Sequence, residues 1–420
     1  MSLHQHESSY RMVPLDEAHQ IVAAHITALP SEPVSSLTAI GRVLAADVFA
    51  TENVPDIVKS LVDGYAVCAA DGMRERQVVA EVTAGSTFDA PLLPGTAVRI
   101  MTGAPVPPGA DALVMFEDTE EQAGQLRVHA AITPGAHLQT VGQDIAQGQQ
   151  ILARGTTLGP PEVGLLAALG QTQVNVYRRP RVAILATGDE VVEPDAPRTV
   201  GQVRDSNRYA LLAAVQEAGA EGLSLGIARD DPQVQRNAIL QAIAQADMLI
   251  TSGGISMGTR DLIKSLVAEL GTIHFGRVAF KPGKPTFFAT VDRAAQAPFL
   301  MFGMPGFPVS SLVVFEMFVR PTLRRLQGDT SPERPRVRVT LREPIRTTSD
   351  RPEYQRTQIA WHDGRLVARS TGLQSSTRLL SLRGANGLLV LAPGIHEYPI
   401  GAEVEALLTG PLLVDHDHIL

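Results

Sequence analysis

The chain has 420 residues, 44% of them apolar and 19% charged, with a formal net charge of −8. That length exceeds one ordinary hydrophobic core and sets an expectation of several domains. The acidic balance argues against broad binding to nucleic acid or an anionic membrane but leaves room for a local basic pocket.

The single Cys68 excludes an internal disulfide and a cysteine-based metal site, so a reducing, cytoplasmic compartment is expected. No basic-then-apolar leader opens the chain, and no run of about 18 apolar residues is present to span a bilayer.

In chain order, residues 13–29 read as a helix, with Pro14, Asp16 and Glu17 in the first turn and apolar residues at helical spacing. From about 45 to 150, short apolar runs alternate with Gly- and Pro-rich turns, the texture of β structure. Residues 160–170 read as a short helix ending at Gly170. The pattern then becomes alternating. Strands are expected at 181–187, 222–228, 247–251, 274–280, 286–291 and 299–304. Helices are expected at 207–219, 233–246, 262–271 and 309–326. Fully apolar strands between helices predict a mainly parallel sheet with right-handed crossovers. After about 328 short strands and turns return, which predicts a small C-terminal β domain.

In an open parallel sheet, ligands bind beyond the carboxyl ends of the strands. Glu190, Asp205, Asp230, Asp231, Asp261, Pro305, Gly306 and Pro308 all fall at such ends. So does the loop "SGGISMG", which carries Ser252, Gly253, Gly254 and Ser256. That loop suits a phosphate or another oxyanion, and it also reads as a structural turn. It is neither a Walker loop nor a dinucleotide fingerprint. Asp205, Asp231 and Asp261 read equally as helix N-caps. Several carboxylates on one edge repel one another and suggest a bound Mg²⁺.

Lysine is rare here. Only Lys59, Lys264, Lys281 and Lys284 occur, and two of the four flank a Pro-Gly in "FKPGKP". A compact ammonium with three donors suits an oxyanion. No Ser/His/Asp arrangement is visible, which points to electrostatic and metal-assisted catalysis without a covalent protein intermediate.

The stretches "SLVDGYAV", "RIMTGAPVPPGADALVMFED", "GQDIAQGQQIL", "ILATGDEVV", "VRDSN", "TSGGISMGTRD", "AFKPGKPTFF", "GMPGFPVSS" and "EYQRTQI", in this order, resemble the MoeA family of molybdopterin molybdenumtransferases. The resemblance runs over nearly the whole chain. It implies insertion of molybdenum from molybdate into adenylylated molybdopterin with release of AMP, assisted by Mg²⁺. It implies a homodimer whose cleft combines both subunits, with a molybdopterin adenylyltransferase and cofactor-delivery proteins as partners.

The implied architecture is an elongated domain from residues 1–50 and 145–178 and an inserted β-rich domain at 51–144. A MogA-like α/β domain follows at 179–327, then a barrel-like β domain at 328–420. Carried over by motif, Asp63, Thr102 and Asp144 face the cleft. Glu190, Asp231 and Asp261 form the catalytic and metal-binding carboxylate group, with Lys281 and Lys284 as its basic counterpart. Asp205, the Gly-rich loop, Pro305, Pro308, Arg356 and Ser376 contact substrate.

Two departures stand out. "IVKS" at 57–60 replaces the family's Phe-Asp-Asn/Arg-Ser, and Phe307 replaces the Asn of Pro-Gly-Asn-Pro. The alternative functions are an adenylyltransferase-like enzyme, a hydrolase sharing the α/β domain, or a non-catalytic scaffold.

Overall fold

The computed structural model describes residues 10–254, 262–294 and 296–414. The chain forms two compact units. One contains residues 1–33, 41–45 and 175–420, and the other contains 34–40 and 46–174.

The first unit holds the α/β domain, whose elements are numbered here from its own start: α1 Leu15–Ala24, β1 Arg181–Thr187, α2 Asn207–Glu217, β2 Glu221–Ala228, α3 Pro232–Gln245, β3 Met248–Ser252, α4 Leu262–Leu270, β4 Thr272–Phe275, β5 Phe287–Val291, β6 Phe299–Met304, α5 Pro308–Val314 and α6 Arg320–Leu326. The sheet order is β2-β1-β3-β6-β5-β4. The first four strands are parallel, and β5 and β4 complete the sheet antiparallel.

Successive strand residues face opposite sides of a sheet. Val182 and Ile184 join Met248, Ile250, Phe302 and Met304 in one core, against α1, α2 and α5–α6. Ala183 and Leu185 join Leu249, Met301 and Phe299 in the other, against α3 and α4. Both faces are covered, which is why these strands read as continuous apolar runs.

Three expected elements differ. The helix expected over 13–29 stops at Ala24, where His25 Nδ1 meets the Ile21 carbonyl at 2.8 Å. Pro30 then biases Leu29 towards extended backbone, and the Leu29 N–H donates to Leu326 O instead. The strand expected over 274–280 ends at Phe275. Beyond it, Val278 bridges Val13 in parallel and the Ala279 N–H donates to Val13 O, so these groups are paired outside the sheet.

The helix expected over 309–326 is interrupted by a π-helical turn, Phe315–Val319. Pro321 has no N–H and crowds the carbonyl four residues back. That carbonyl, Met317 O, lies 3.1 Å from His19 Nε2, which donates to it in the neutral tautomer protonated at Nε2.

The C-terminal strands Arg336–Leu341, Glu403–Leu408, Gly387–Leu391, Glu353–His362 and Arg365–Ser370 pair in that order, and the last pairs back to the first. The result is a closed five-stranded barrel, with Leu413–Val414 added beside Glu353–His362. Its core includes Val339, Ile359, Leu389 and Ala406.

The second unit is built on a six-stranded sheet in the order Ala112–Met115, Gly64–Val67, Thr96–Ile100, Arg76–Val82, Gln125–Val128, Thr119–Gln122. A Cβ on Gly64 would lie 1.9 Å from Val114 O, so "DGYAV" needs its glycine for strand approach.

Candidate functional site

The sheet edge formed by the ends of β1, β3 and β6 opens into a cavity of about 600 Å³. Its floor is largely backbone. Gly253 and Gly254 both have positive φ, and a Cβ on either would meet Thr187 within 3 Å. Asn207, at the start of α2, ties the floor together. Its Nδ2 donates to Ser252 Oγ at 2.7 Å and to Gly306 O at 2.8 Å. Glu190, Asp205, Ser252, Gly253, Gly254, Pro305 and Pro308, each expected at the site, line this cavity, and Asn207 and Phe307 join them.

The carboxylates are not equivalent. Glu190 is exposed at the cavity wall. Asp205 is buried and accepts from the Arg208 N–H at 3.0 Å and Arg208 Nε at 2.7 Å, so it caps α2 and pairs with a guanidinium. Asp231 caps α3, accepting from the Val234 N–H at 2.8 Å, and does not line the cavity. Ser256 and Asp261 lie outside the described residues. Among the described residues no three His, Cys, Asp or Glu side chains gather as a metal cluster.

A second cavity, of about 420 Å³, shares Pro285 with the first. It is strongly basic. Lys281, Lys284, Arg351 and Arg356 line it with Ser310, Ser375 and Ser376, and Glu353 is its carboxylate. The loop and the barrel are joined by backbone here. The Lys281 N–H donates to Pro352 O at 2.9 Å, and the Tyr354 N–H donates to Lys281 O at 2.7 Å. Lys281 Nζ lies 2.9 Å from Glu353 Oε1, and Thr347 Oγ1 donates to the other oxygen at 2.6 Å.

Arg356 is almost fully buried. Its Nε donates to Ser381 Oγ at 3.2 Å and its Nη2 to Ser375 O at 3.1 Å. Burial pushes its pKa down to about 10, with the Glu353 charge opposing. Lys284 is also held below the ordinary lysine value, first by burial and then by the Arg277 and Arg351 charges, with Asp350 opposing. Arg351 Nε is buried without a hydrogen-bond partner. Arg351 pairs with Asp350 at 3.4 Å, so Glu353 and Asp350 oppose the four cations, and crowded cations of this kind are what an incoming anion neutralises.

In the second unit, Asp63 Oδ1 accepts from both the N–H and the Oγ1 of Thr102, each at 2.7 Å. These two hydrogen bonds hold the exposed Asp63 carboxyl below its usual range. Asp144 is exposed in the same unit, and its N–H donates to Val54 O at 3.0 Å.

Most of the expected residues of the first unit thus fall into two sets, with Asp231 outside both, and in the second unit Asp63 and Thr102 pair with each other. The structure adds Asn207, Arg351 and Glu353 to the two sets. Asn207 and Glu353 sit inside the stretches "VRDSN" and "EYQRTQI", where spacing gives no sign of their partners.

Comparison with known proteins covers most of the chain. Residues 13–170 match the MoeA N-terminal region (domains I and II). Residues 183–325 match the probable molybdopterin binding domain, and residues 338–409 match the MoeA C-terminal region (domain IV). A molybdopterin molybdenumtransferase from Nostoc is 38% identical over 87% of this chain and 85% of its own length. Molybdopterin molybdenumtransferase 2 from Mycobacterium tuberculosis is 35% identical over 94% of this chain and 99% of its own. Gephyrin from Dictyostelium discoideum is 35% identical over 96% of this chain, which spans 63% of that protein's length. Two crystal structures of MoeA protein from Pyrococcus horikoshii superpose with TM-scores of 0.82 and 0.80 at 30% and 27% identity. They cover 96% and 95% of this chain and all of their own chains.

Proposed function

This chain belongs to the MoeA family, and on that premise we propose that it is a molybdopterin molybdenumtransferase, which inserts molybdenum from molybdate into adenylylated molybdopterin and releases AMP. The observation that carries the reading is the pair of cavities meeting at Pro285. The larger carries the glycine loop, and the smaller is basic. Molybdate is a dianion, and four cations opposed by Glu353 and the neighbouring, exposed Asp350 suit it. Two unit charges 4 Å apart attract by about 4 kcal/mol at an effective dielectric of 20, so each cation counts.

In this reading Lys281, Lys284, Arg356 and Ser376 hold the oxyanion and oppose the negative charge that develops at phosphorus. Ser252, Gly253, Gly254, Pro305 and Pro308 seat the pterin nucleotide, with Asp205 fixing the start of α2 beneath it. Ser256 and Asp261 belong to the same set by their motif. Water activated beside the bound oxyanion attacks the pterin-side phosphorus, the bridging oxygen leaves with AMP, and the dithiolene sulfurs displace two molybdate oxygens as water, with molybdenum unchanged in oxidation state.

Mg²⁺ fits Glu190, an exposed oxygen donor in the cavity, in the usual manner of one or two carboxylates completed by substrate phosphates. When bound it would polarise the phosphate oxygens towards attack. Asp231 and Asp261 are the further carboxylates expected for that role, of which Asp231 caps α3 and lies outside the lining of this cavity. Asp63, Thr102 and Asp144, the homodimer and the four-domain division are carried by the family resemblance. The lone Cys68 suits a reducing, cytoplasmic compartment. Among the described residues no helix is long and apolar enough to cross a membrane.

An adenylyltransferase-like activity would need only the α/β segment. The basic cavity takes Arg351, Glu353, Arg356, Gln374, Ser375 and Ser376 from beyond it, which favours the metal-inserting reaction. The test is AMP release from adenylylated molybdopterin by purified protein with Mg²⁺ and either molybdate or tungstate. Oxyanion-dependent release is expected, and the preferred oxyanion names the metal. Release at the same rate without oxyanion would defeat the reading.

A further inference from the structure

We propose that Phe307 is a stacking platform for a flat aromatic heterocycle in the strand-end cavity, and therefore a specificity-determining residue of this site. The proposal rests on the pterin-nucleotide reading above and deepens it.

Phe307 is 55% exposed, while Phe275, Phe280, Phe287, Phe288, Phe299, Phe302, Phe315 and Phe318 of the same domain are each 2% exposed or less. A lone apolar residue at a surface is ordinary. This one lines a cavity, and its neighbours on the wall include Val191, Val203, Pro285, Pro305 and Pro308. The same lining carries Glu190, Arg204 and Asn207, so the cavity offers a heterocycle both apolar surface and polar partners. No aromatic pair among the described residues involves Phe307.

The backbone around it is pinned on both sides. Gly306 O accepts from Asn207 at 2.8 Å, the Ser311 N–H donates to Phe307 O at 3.0 Å, and the Val309 N–H donates to Ser376 O at 3.2 Å. A side chain with two torsions on a fixed loop presents its ring at little entropic cost.

Phe307 also occupies the N-cap position of α5, where it makes no side-chain cap. Ser, Thr, Asp or Asn there would supply the missing acceptor. The Ser376 carbonyl takes up part of that role from the barrel. The position is thus released from capping the helix and filled by a residue whose surface faces the cavity.

Stacking a nucleobase on an aromatic side chain contributes on the order of tenfold to a hundredfold in affinity. The substrate carries two such rings, adenine and pterin. Equilibrium binding of AMP and of 6-hydroxymethylpterin to the full-length protein, its Phe307→Leu variant and its Phe307→Tyr variant separates them. Leu keeps apolar bulk without a π face, and Tyr keeps the face.

Phe307→Leu is expected to melt with the wild type and to weaken one of the two ligands by about tenfold or more, with Phe307→Tyr within about twofold. The weakened ligand identifies the ring. Unchanged affinity of Phe307→Leu for both ligands overturns the platform and leaves the functional reading standing. A loss of binding that accompanies a lowered melting temperature in both variants also overturns it, because the residue is then structural. Wild-type protein that binds neither ligand overturns the functional reading and the platform together.

Discussion

Lys281 and Glu353 face each other at 2.9 Å across a parallel backbone bridge between the "KPGKP" loop and the barrel. The lysine side chain is 43% exposed and the glutamate 5%. Solvent screens the pair, so its net contribution to stability is on the order of 1 kcal/mol or less. Its consequence is positional. Glu353 holds the ammonium at the mouth of the basic cavity and keeps four cations from repelling one another unopposed.

Glu353→Gln keeps an acceptor for Thr347 and removes the charge. It is expected to fold normally, to bind molybdate at least as tightly as the wild type, and to release AMP about tenfold more slowly, because Lys281 is no longer fixed. Saturation kinetics against molybdate check this. An unchanged turnover number would show that Lys281 needs no partner.

Arg356 is a buried cation whose hydrogen bonds go to hydroxyl and carbonyl oxygens. Arg356→Gln retains hydrogen-bonding capacity without the charge. Molybdate affinity is expected to fall about thirtyfold, with a smaller change in affinity for AMP. Isothermal titration with each ligand separately gives the comparison.

Lys284 supplies a pH dependence with a defined sign. Its folded pKa lies below the ordinary lysine value, chiefly through burial. As pH rises the folded chain gives up this proton before the unfolded chain does. Stability therefore increases between the depressed and ordinary values: the penalty for holding the charge is full below the depressed one and is gone above the ordinary one. Molybdate binding runs the other way, because the dianion favours the charged form. Affinity for molybdate should decline as pH climbs through the depressed value, and Lys284→Arg should flatten that decline. A flat profile for the wild type would remove Lys284 from the oxyanion set.

Asp63 and Thr102 test the second unit alone. The Asp63 pKa is lowered by the Thr102 N–H and then by its hydroxyl. The pair's contribution to stability is complete above the ordinary carboxylate pKa and is lost as pH falls through the depressed one. Thr102→Val removes the hydroxyl donor and keeps the amide. The Asp63 carboxyl should then titrate nearer its ordinary value, which side-chain NMR can follow.

Asp231 carries both a cap and a proposed metal role. Asn caps about as well as Asp, so Asp231→Asn should leave the melting temperature nearly unchanged. If the carboxylate serves Mg²⁺, the half-activating concentration rises about tenfold. An identical Mg²⁺ titration would leave only the cap.

The strands and helices of the α/β domain are legible because both faces of the sheet are covered. Val182 to Ala186 are apolar without interruption, and the polar residues gather where the strands stop. Glu190, Ser252 and Pro305 follow from that rule alone. Glu353 does not. It is 72 residues from Lys281, and only the bridge between loop and barrel brings the two together. Asn207 is hidden for a related reason, since its amide reaches two loops that close over it from different strands. The π-turn before Pro321 is not legible because the apolar spacing runs straight through it, and His19 from α1 takes up the Met317 carbonyl.

The Val309–Ser376 hydrogen bond and the bridge at Lys281 bear on separability. Residues 183–325, cut out as a stand-alone fragment, would carry the strand ends and the glycine floor with them. They would leave behind the carbonyl that caps α5, the counter-ion of Lys281 and two of the four cations. One half of the site is portable and the other is not: on the proposed reading, the barrel supplies the part of the oxyanion cavity that the α/β segment lacks.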